Sequence, residues 1–426
     1  MILDRVKSPD FQTIKSVNIP RIESLTFANG TPIHYISVGE QPVMKLEISF
    51  EAGNWFETQN GVSLFVAKML GEGTSKHSAA EINAFFDQYG AFIEFGHGLD
   101  RANMTVYGLT KYLGNLLPMV YEILHDAIFP EKELAVFKNI QLQTLQVNTE
   151  KSSFVANKVF RKKAFGDTHP YGNSLDEASI QQIEREHLQA FYQSFWYNKK
   201  AKIFLSGKIT EHEVRLVEEY FGKNVITEAQ EHEVSIVKQS ERQEPILIEK
   251  TSAMQSSIRM GKQLMTRKHP DYFNMLVLNE TLGGYFGSRL MKNIREEKGL
   301  TYGISSNVSP FSRSGYFVIG TDVKREFTQQ TIDEIHKEIQ RLQNELIQPD
   351  ELEVVKNYMI GSFAGSLNTP FDIADRYKVI FSENLPESFY DNYIANLQAV
   401  TSEMVLETAN KYLAIDTLVE VVVGGK

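Results

Sequence analysis

The chain has 426 residues, which at about 150 residues per domain predicts two or three domains. Its composition is that of a globular protein, 42% hydrophobic and 23% charged, and this excludes a disordered, collagen-like or disulfide-stapled chain. The formal charge is −10 without a basic stripe, so a nucleic-acid-binding protein is not expected. The lack of cysteine excludes thiolate catalysis, cysteine-ligated zinc and iron–sulfur clusters.

The sequence shows no sign of membrane attachment. Residues 1–10 lack the apolar core of a signal peptide, and no run reaches ~18 uninterrupted apolar residues. We therefore expect a cytoplasmic protein, or a periplasmic one if an export signal has been removed.

The predicted elements, in chain order, are strands grouped with long helices. Residues 44–50 alternate apolar and polar with period two, which predicts a half-buried strand. Residues 112–127 have apolar side chains at helical spacing. In the second half, residues 315–321 are rich in β-branched and aromatic types and predict a strand, and residues 327–346 predict an amphipathic helix. Grouped strands and helices, rather than strict alternation, favour an α+β fold.

An internal repeat divides the chain into two similar halves. A helical pattern followed by an apolar strand runs from Leu188 to Gly207 and again from Leu406 to Gly425, and each copy closes on Gly-Lys. Between the copies, residues 224–244 are polar and rich in Gln and Glu, as a domain connection should be. We therefore predict domains at 1–223 and 245–426, each a mostly antiparallel sheet packed with helices, joined by a linker at 224–244.

The segment 60–74, Asn-Gly-Val-Ser-Leu-Phe-Val-Ala-Lys-Met-Leu-Gly-Glu-Gly-Thr, has helical spacing and a glycine-rich end. It resembles the zinc-binding segment of the insulinase/pitrilysin-type peptidases, the inverzincins, in which a helix carries His-x-x-Glu-His. In that motif the two histidines share one helix face and hold zinc, and the Glu activates water. Here the matching positions are Leu64, Ala67 and Lys68, and none of them can ligate zinc or accept a proton.

The remaining parts of such a zinc site are missing as well. The resemblance implies a third ligand, a Glu farther along the chain, and the matching position here is Gln143 or Thr144. No two of the ten histidines lie three to five residues apart, so no pair has ligand spacing on one helix. We therefore expect no zinc and no other cofactor in this chain.

Two other segments resemble the same family. The turn His169-Pro-Tyr-Gly172 is similar to one that recurs in it, and we interpret His169 as a structural turn residue rather than a ligand. Residues 90–98 match the strand edge to which catalytic members add substrate as a β-strand. Glu94 and Phe95 replace the Asn and Ala of that strand, a departure from the catalytic pattern.

The most informative segment of the second half is 283–303, Gly-Gly-Tyr-Phe-Gly-Ser-Arg-Leu-Met-Lys-Asn-Ile-Arg-Glu-Glu-Lys-Gly-Leu-Thr-Tyr-Gly. It resembles the family motif in which an Arg and a Tyr, seven residues apart, reach the zinc-bound substrate. Arg295 and Tyr302 have that spacing. A guanidinium can hold a substrate carbonyl, and a phenol can donate to a developing oxyanion. The alternative makes Arg295 a solvated helix residue and Tyr302 a half-buried strand residue.

The resemblance spans roughly residues 20–426 and implies a two-domain clamshell half. It leads to the hypothesis of a non-metal-binding subunit of a heterodimeric, mostly bacterial, zinc peptidase. Such a chain would be inactive alone and would supply Arg295 and Tyr302 to a peptide at the zinc of a homologous His-x-x-Glu-His partner. The alternative is an inert scaffold or peptide-binding homologue, like the core subunits of a respiratory complex. A self-sufficient peptidase with another mechanism has no candidate nucleophile, because the chain has no Cys and no Gly-x-Ser-x-Gly.

Overall fold

A computed structural model describes residues 14–229 and 244–425. It contains two β-sheets, each mostly antiparallel and packed against helices, which confirms the predicted α+β class. The first sheet is formed by β1 Glu23–Thr26, β2 Pro32–Ser37, β3 Val43–Phe50, β4 Phe92–His97, β5 Ala102–Leu109 and β6 Lys202–Gly207. The second sheet is formed by β7 Ile246–Glu249, β8 Gln255–Leu264, β9 Thr301–Pro310, β10 Gly315–Lys324 and β11 Val419–Gly424.

The α-helices surround these sheets. They are α1 Val62–Met69, α2 Ala79–Gln88, α3 Leu113–His125, α4 Glu131–Thr149, α5 Ser152–Phe165, α6 Glu177–Gln182, α7 Arg185–Phe195, α8 Glu211–Phe221, α9 Tyr272–Asn279, α10 Thr328–Asn344, α11 Pro349–Gly365, α12 Pro370–Glu383, α13 Tyr393–Ala399 and α14 Ser402–Tyr412. Two π-helical segments, Glu280–Gly284 and Met291–Glu297, lie between α9 and β9. The helices predicted at 112–127 and 327–346 are confirmed as α3 and α10.

The two sheets have the same topology. The first has the order β1-β2-β6-β3-β5-β4 and the second the order β7-β11-β8-β10-β9, so they match strand for strand once β1 is set aside. In both, the last strand inserts parallel to the first matched strand, β6 beside β2 and β11 beside β7. The repeated helix–strand unit is thereby confirmed, as α7–β6 in the first half and α14–β11 in the second.

The two halves are interlocked by an exchange of helices. The first half's α5 packs on β8 and β11 of the second sheet, and the second half's α12 packs on β6 and β2 of the first sheet. Val421 and Val423 of β11 accordingly belong to the hydrophobic core of the first half, and Ile36 of β2 belongs to that of the second. Neither half buries its sheet on both faces without a helix from the other.

This exchange changes the prediction for strand 44–50. The strand exists as β3, but it is not half-buried, because its polar positions Lys45, Glu47 and Ser49 are buried as well as its apolar ones. The polar face is covered by α12, which supplies matching charges. Lys45 Nζ lies 2.7 Å from Asp375 Oδ1, and Lys378 Nζ lies 3.0 Å from Glu47 Oε2. The buried charges of the strand are therefore paired across the halves, as buried charges must be.

A second contact between the halves involves the His-Pro-Tyr-Gly turn. His169 is 2% exposed and accepts a hydrogen bond from the Tyr171 amide through Nδ1 at 3.0 Å, which confirms it as a structural turn residue. The Tyr171 hydroxyl donates to Asp100, and Asp100 forms an ion pair of 2.9 Å with Arg313. Arg313 belongs to the β9–β10 turn and lies over the Trp55 ring at 4.7 Å. The tip of that hairpin is thus held by the first half.

Most of the predicted linker, residues 230–243, lies outside the described residues. The first residues of the linker are bound to the first half. The Asn224 side chain donates a hydrogen bond to the Tyr121 hydroxyl at 2.6 Å, and Thr227 forms an isolated β-bridge with Lys199. Within residues 14–229 and 244–425, no helix has the length and apolarity that a membrane span requires.

Lys378→Met tests the charge cluster between α12 and β3. The change leaves the buried Glu47 carboxylate with only the longer contact to Lys45, 3.5 Å, and we expect the free energy of unfolding to fall by about 2–3 kcal/mol. Urea titration followed by the fluorescence of Trp55 and Trp196, both in the core of the first half, measures it. Lys200→Met is the matched control, because its ion pair with Glu228 is exposed and should contribute less than about 0.5 kcal/mol. Equal losses in both variants would contradict the role assigned to the cluster.

His34→Phe tests the contact of α12 with β2. His34 stacks on Phe381 at 3.6 Å, and burial, with the charge of Lys202, lowers its pKa to about 4. Below pH 6.5 the unfolded chain binds a proton at His34 that the folded chain does not, so stability falls between about pH 6.5 and pH 4, by up to about 3 kcal/mol. The phenylalanine keeps the stacking without a proton, so the same urea titrations should show a flatter dependence on pH. Identical pH profiles for the two proteins would contradict the assignment of this pH dependence to His34.

Candidate functional site

Helix α1, which carries the former zinc-ligand positions, begins at a sharp turn that a buried carboxylate holds. Glu57 accepts hydrogen bonds from the amides of Gly61 and Ser63, both at 3.1 Å, and so satisfies donors that every helix start leaves open. Gly61 has φ of +92°, and a Cβ there would lie 2.3 Å from Leu175. Burial raises the pKa of Glu57 even though these hydrogen bonds favour its ionised form. The start of α1 therefore requires both residues.

The residues at the zinc-ligand positions of α1 do not fit the metal. Leu64 is half-buried, Ala67 is fully buried, and Lys68 is exposed. The Lys68 ammonium donates to the main-chain oxygen of Phe95 at 2.5 Å. A hydrocarbon cannot ligate zinc, and a fixed positive charge at the second histidine position repels a dication. Burial and, as the smaller cause, the Lys68 ammonium lower the pKa of His97 to about 4.

Lys68 also occupies the sheet edge at which catalytic relatives add a peptide. Strand β4 is the outermost strand of the first sheet, and Phe95 lies in it. A peptide strand would need the carbonyl oxygens of that edge as acceptors. Because Lys68 already binds the Phe95 oxygen, a peptide pairing there would have to displace it.

Helix α4 carries Gln143 and Thr144, the positions that the sequence matched to the third ligand. Helix α4 packs on α1 through Phe137 and Phe65, whose ring centroids lie 4.8 Å apart. Gln143 and Thr144 are both exposed on α4. In the described part of the chain, no group of three or more His, Asp or Glu side chains is arranged to hold a metal ion.

In the second half, helices α10 and α11 hold the segment that carries Arg295. Arg289 forms a two-point ion pair with Glu351 of α11, with both contacts at 2.8 Å. Asn293 donates to Glu334 at 3.0 Å and to Glu338 at 2.7 Å, both on α10. These contacts fix the π-helical segment Met291–Glu297 on its buried side, and Arg295 projects from it. Such π-helical turns are frequent at functional sites.

Arg295 and Tyr302 are brought together. The Arg295 Nε donates to the main-chain oxygen of Tyr302 at 3.0 Å, and its guanidinium lies over the Phe286 ring at 4.8 Å. Gly299, with φ of +62°, turns the chain between the π-helical segment and β9. The guanidinium is thereby oriented on both sides, while its side chain remains 35% exposed.

Tyr302 stands in solvent on the edge strand of the second sheet. Its side chain is 95% exposed, so the expectation of a half-buried strand residue is wrong for it. The phenol lies at the mouth of a cavity of about 900 Å³ and of a second one of about 510 Å³. An exposed phenol can donate a hydrogen bond to a bound group, and a guanidinium held at the Tyr302 main chain can bind a carbonyl or a carboxylate.

Sequence patterns located the pair but not its surroundings. Phe286 lies inside the motif, yet nothing in the sequence shows that its ring supports Arg295. Glu57, four residues before Gly61, was detectable only as an acidic residue close to a helix start. Met254, which also lines the larger cavity, has no sequence signal at all.

Comparisons with known proteins agree with the geometry. Residues 35–177 match the family model described as Insulinase (Peptidase family M16), and residues 182–359 match the one described as Peptidase M16 inactive domain. The chain is 22% identical over 411 residues to the "Non-peptidase homolog YmxG" of Helicobacter pylori, covering 93% of this chain and 92% of that protein. It is 25% identical over 312 residues to the "Uncharacterized zinc protease YmxG" of Bacillus subtilis, covering 73% and 75%.

The fold agrees as well. A crystal structure titled as a peptidase M16 inactive domain from Pseudomonas fluorescens superposes with a TM-score of 0.86 at 26% identity, covering 95% of this chain and 98% of that one. Both family models, arranged in order along one chain, account for most of the described residues. The chain therefore belongs to the insulinase (M16) family of peptidases, as a homologue whose residues at the zinc-ligand positions do not fit the metal.

Proposed function

We propose that this chain is the non-metal-binding subunit of a heterodimeric zinc peptidase and supplies Arg295 and Tyr302 to a peptide bound at a homologous partner. The observation that carries the proposal is the arrangement of the pair. Arg295 is fixed by Phe286 and by the Tyr302 main chain, which Nε binds, and the Tyr302 side chain is 95% exposed. A phenol left almost wholly in solvent on a strand has no packing role.

Each residue has a chemical role in this proposal. Arg295 uses Nε on the protein, and one terminal nitrogen has only a long contact of 3.9 Å with Glu296, so the terminal nitrogens can donate to a peptide carbonyl and orient it. Tyr302 donates its hydroxyl proton in a hydrogen bond to the oxygen that gains charge when water attacks that carbonyl. Neither residue delivers the water, and α1 has no group that could, which is why a partner is required.

The second candidate function is an inert scaffold or peptide-binding homologue. The Lys68 contact with Phe95 favours it for the first half, because that contact occupies both the metal position and the substrate edge. It does not explain why Arg295 is oriented from two sides in the second half. The two candidates differ in one measurable respect, the effect of Arg295 on peptide hydrolysis by a reconstituted pair.

Reconstitution with a homologous His-x-x-Glu-His chain tests the role of the pair. We expect peptide hydrolysis only when both chains are mixed, and Arg295→Ala or Tyr302→Phe should lower kcat/KM by about 10²–10³-fold, as loss of one oxyanion donor does. If Tyr302 acts on the transition state, its variant should lower kcat more than it raises KM.

Tyr358→Phe is the matched control for Tyr302→Phe. Tyr358 is also an exposed tyrosine of the second half, but it stacks on Tyr285 and has no contact with Arg295 among the described residues, so activity should be unchanged. A mixture that gains no activity would refute the proposed function, and so would an Arg295→Ala/Tyr302→Phe double variant with full activity. The inert scaffold or peptide-binding homologue would then be the remaining candidate.

Metal analysis of the purified chain tests the zinc positions. After dialysis against zinc and removal of the excess, we expect far less than one zinc per chain, because Leu64 and Ala67 offer no ligand atom and Lys68 is positively charged. Inductively coupled plasma mass spectrometry gives the content. One tightly held zinc per chain would contradict the interpretation that these positions do not bind zinc. If Thr144→Ala then lost the metal, the zinc would lie at the positions matched to the zinc motif.

A further inference from the structure

Tyr302 borders a groove that none of its assigned roles explains. The cavity of about 900 Å³ lies between the start of α5, the segment before β8 and the end of β10. Met254, 89% exposed, stands with Tyr302 on its wall. Large side chains left this exposed at a concave surface mark binding sites more often than scattered single residues do. The neighbouring cavity of about 510 Å³ shares Gln255, Tyr302 and Asp322 with it, so the two form one continuous groove.

The second part of the groove runs across one face of the second sheet. Its floor is made of small or uncharged residues of β9 and β10, namely Gly303, Ser305, Asn307, Val318 and Gly320. A Cβ on Gly303 would meet nothing within 4 Å, so the floor is open at that point. A floor of hydroxyl, amide and glycine positions offers hydrogen bonds and room, which suits an extended, polar chain better than a compact apolar ligand.

Three cations and three carboxylates line the larger cavity, but two of the carboxylates are already paired with other groups. Two of its carboxylates are already bound to cations or hydroxyls: Glu150 pairs with Lys250 at 3.2 Å, and Asp322 accepts from Ser257 at 2.6 Å and lies 3.7 Å from Arg259. The other charged residues that line the cavity are three cations, Lys151, Lys324 and Arg325, and one carboxylate, Glu326.

Two of these cations donate hydrogen bonds to neutral groups. Lys151 Nζ donates to the Asn148 side chain at 3.0 Å, and Arg325 donates to the Thr251 main-chain oxygen at 3.3 Å. With Arg259, which lines the neighbouring cavity, the groove has four cations against three carboxylates, although the whole chain has a formal charge of −10. Positively charged clefts concentrate anionic ligands.

The geometry points to an acidic peptide segment as the ligand of this groove. A peptide that passes Tyr302 would extend over the polar floor on one side and place Asp or Glu side chains, or a terminal carboxylate, against Lys151, Lys324 and Arg325 on the other. The claim that the groove selects which peptides reach Arg295 and Tyr302 rests on the proposed function. The claim that the groove binds an acidic peptide concerns this chain alone.

Fluorescence anisotropy with the isolated full chain tests it. The probes are three fluorescein-labelled decapeptides of one sequence that carry four Asp/Glu residues, four Asn/Gln residues or four Lys residues at the same positions. We expect the acidic peptide to bind at least about tenfold more tightly than the amide peptide at 50 mM salt, and the preference to vanish near 0.5 M salt because exposed charges are then screened. Equal affinity for the acidic and amide peptides would overturn the inference.

Charge reversal locates the site. Lys151→Glu/Lys324→Glu should abolish the preference for the acidic peptide, and Lys151→Gln/Lys324→Gln should reduce it in part. The matched control is Lys132→Glu/Lys163→Glu, which changes the net charge of the chain equally at exposed positions outside the groove and should keep the preference. A control that loses the preference equally would show a general effect of net charge and overturn the assignment. So would a single-stranded oligonucleotide that binds as tightly and responds to the same variants.

The design separates this inference from the proposed function. Binding that follows these charges while the reconstituted pair stays inactive would refute the heterodimeric peptidase and keep the acidic-peptide groove. Hydrolysis that depends on Arg295 and Tyr302, with no difference between acidic and amide peptides, would keep the proposed function and refute the groove.

Discussion

The exchange of α5 and α12 is the constraint on which the rest of the structure depends. Each sheet has one face covered by a helix of its own half and the other partly covered by a helix from the opposite half. On β3 that covering buries Lys45 and Glu47, which are then tied to Asp375 and Lys378. Since an unpaired buried charge is costly, the two halves hold a defined orientation. As a consequence, the start of α5 and Tyr302 line the same groove, the one to which an acidic peptide is assigned.

Packing holds α1 in the first half, and one of the positions matched to the zinc motif, Ala67, is part of that packing. Phe65, Val66 and Ala67 are fully buried in the first core, and the Glu57 carboxylate still begins the helix. Lys68 lies on the remaining face, where its ammonium binds a main-chain oxygen of the edge strand. A side chain with a long apolar stem and a charged end can occupy such a position while its charge stays solvated.

The two halves thus share a topology but differ in what their edge strands present. In the first sheet the outermost strand, β4, has its Phe95 oxygen bound by Lys68. In the second, the outermost strand, β9, presents the Tyr302 phenol to solvent, and Arg295 binds the main-chain oxygen of Tyr302. The edge of the first sheet is occupied at Phe95, and the edge of the second leaves Tyr302 free for the role proposed for it. This asymmetry is what the proposed division of labour between two chains requires.

Local patterns in the sequence were enough to predict the α+β class, the helix–strand repeat, α3 and α10, because each of these depends on spacing within a few turns or strands. The match of Leu64, Ala67 and Lys68 to a zinc motif came from the family resemblance and stays a prediction. Tertiary structure alone decided the burial of the polar face of β3, the exposure of Tyr302 and the charge of its groove. Asp375 lies 330 residues from Lys45, and Lys151 and Lys324 meet at one cavity from opposite halves of the chain. Period-two alternation predicts which face of a strand is polar, but only the helix that packs there determines whether that face meets water or a partner charge.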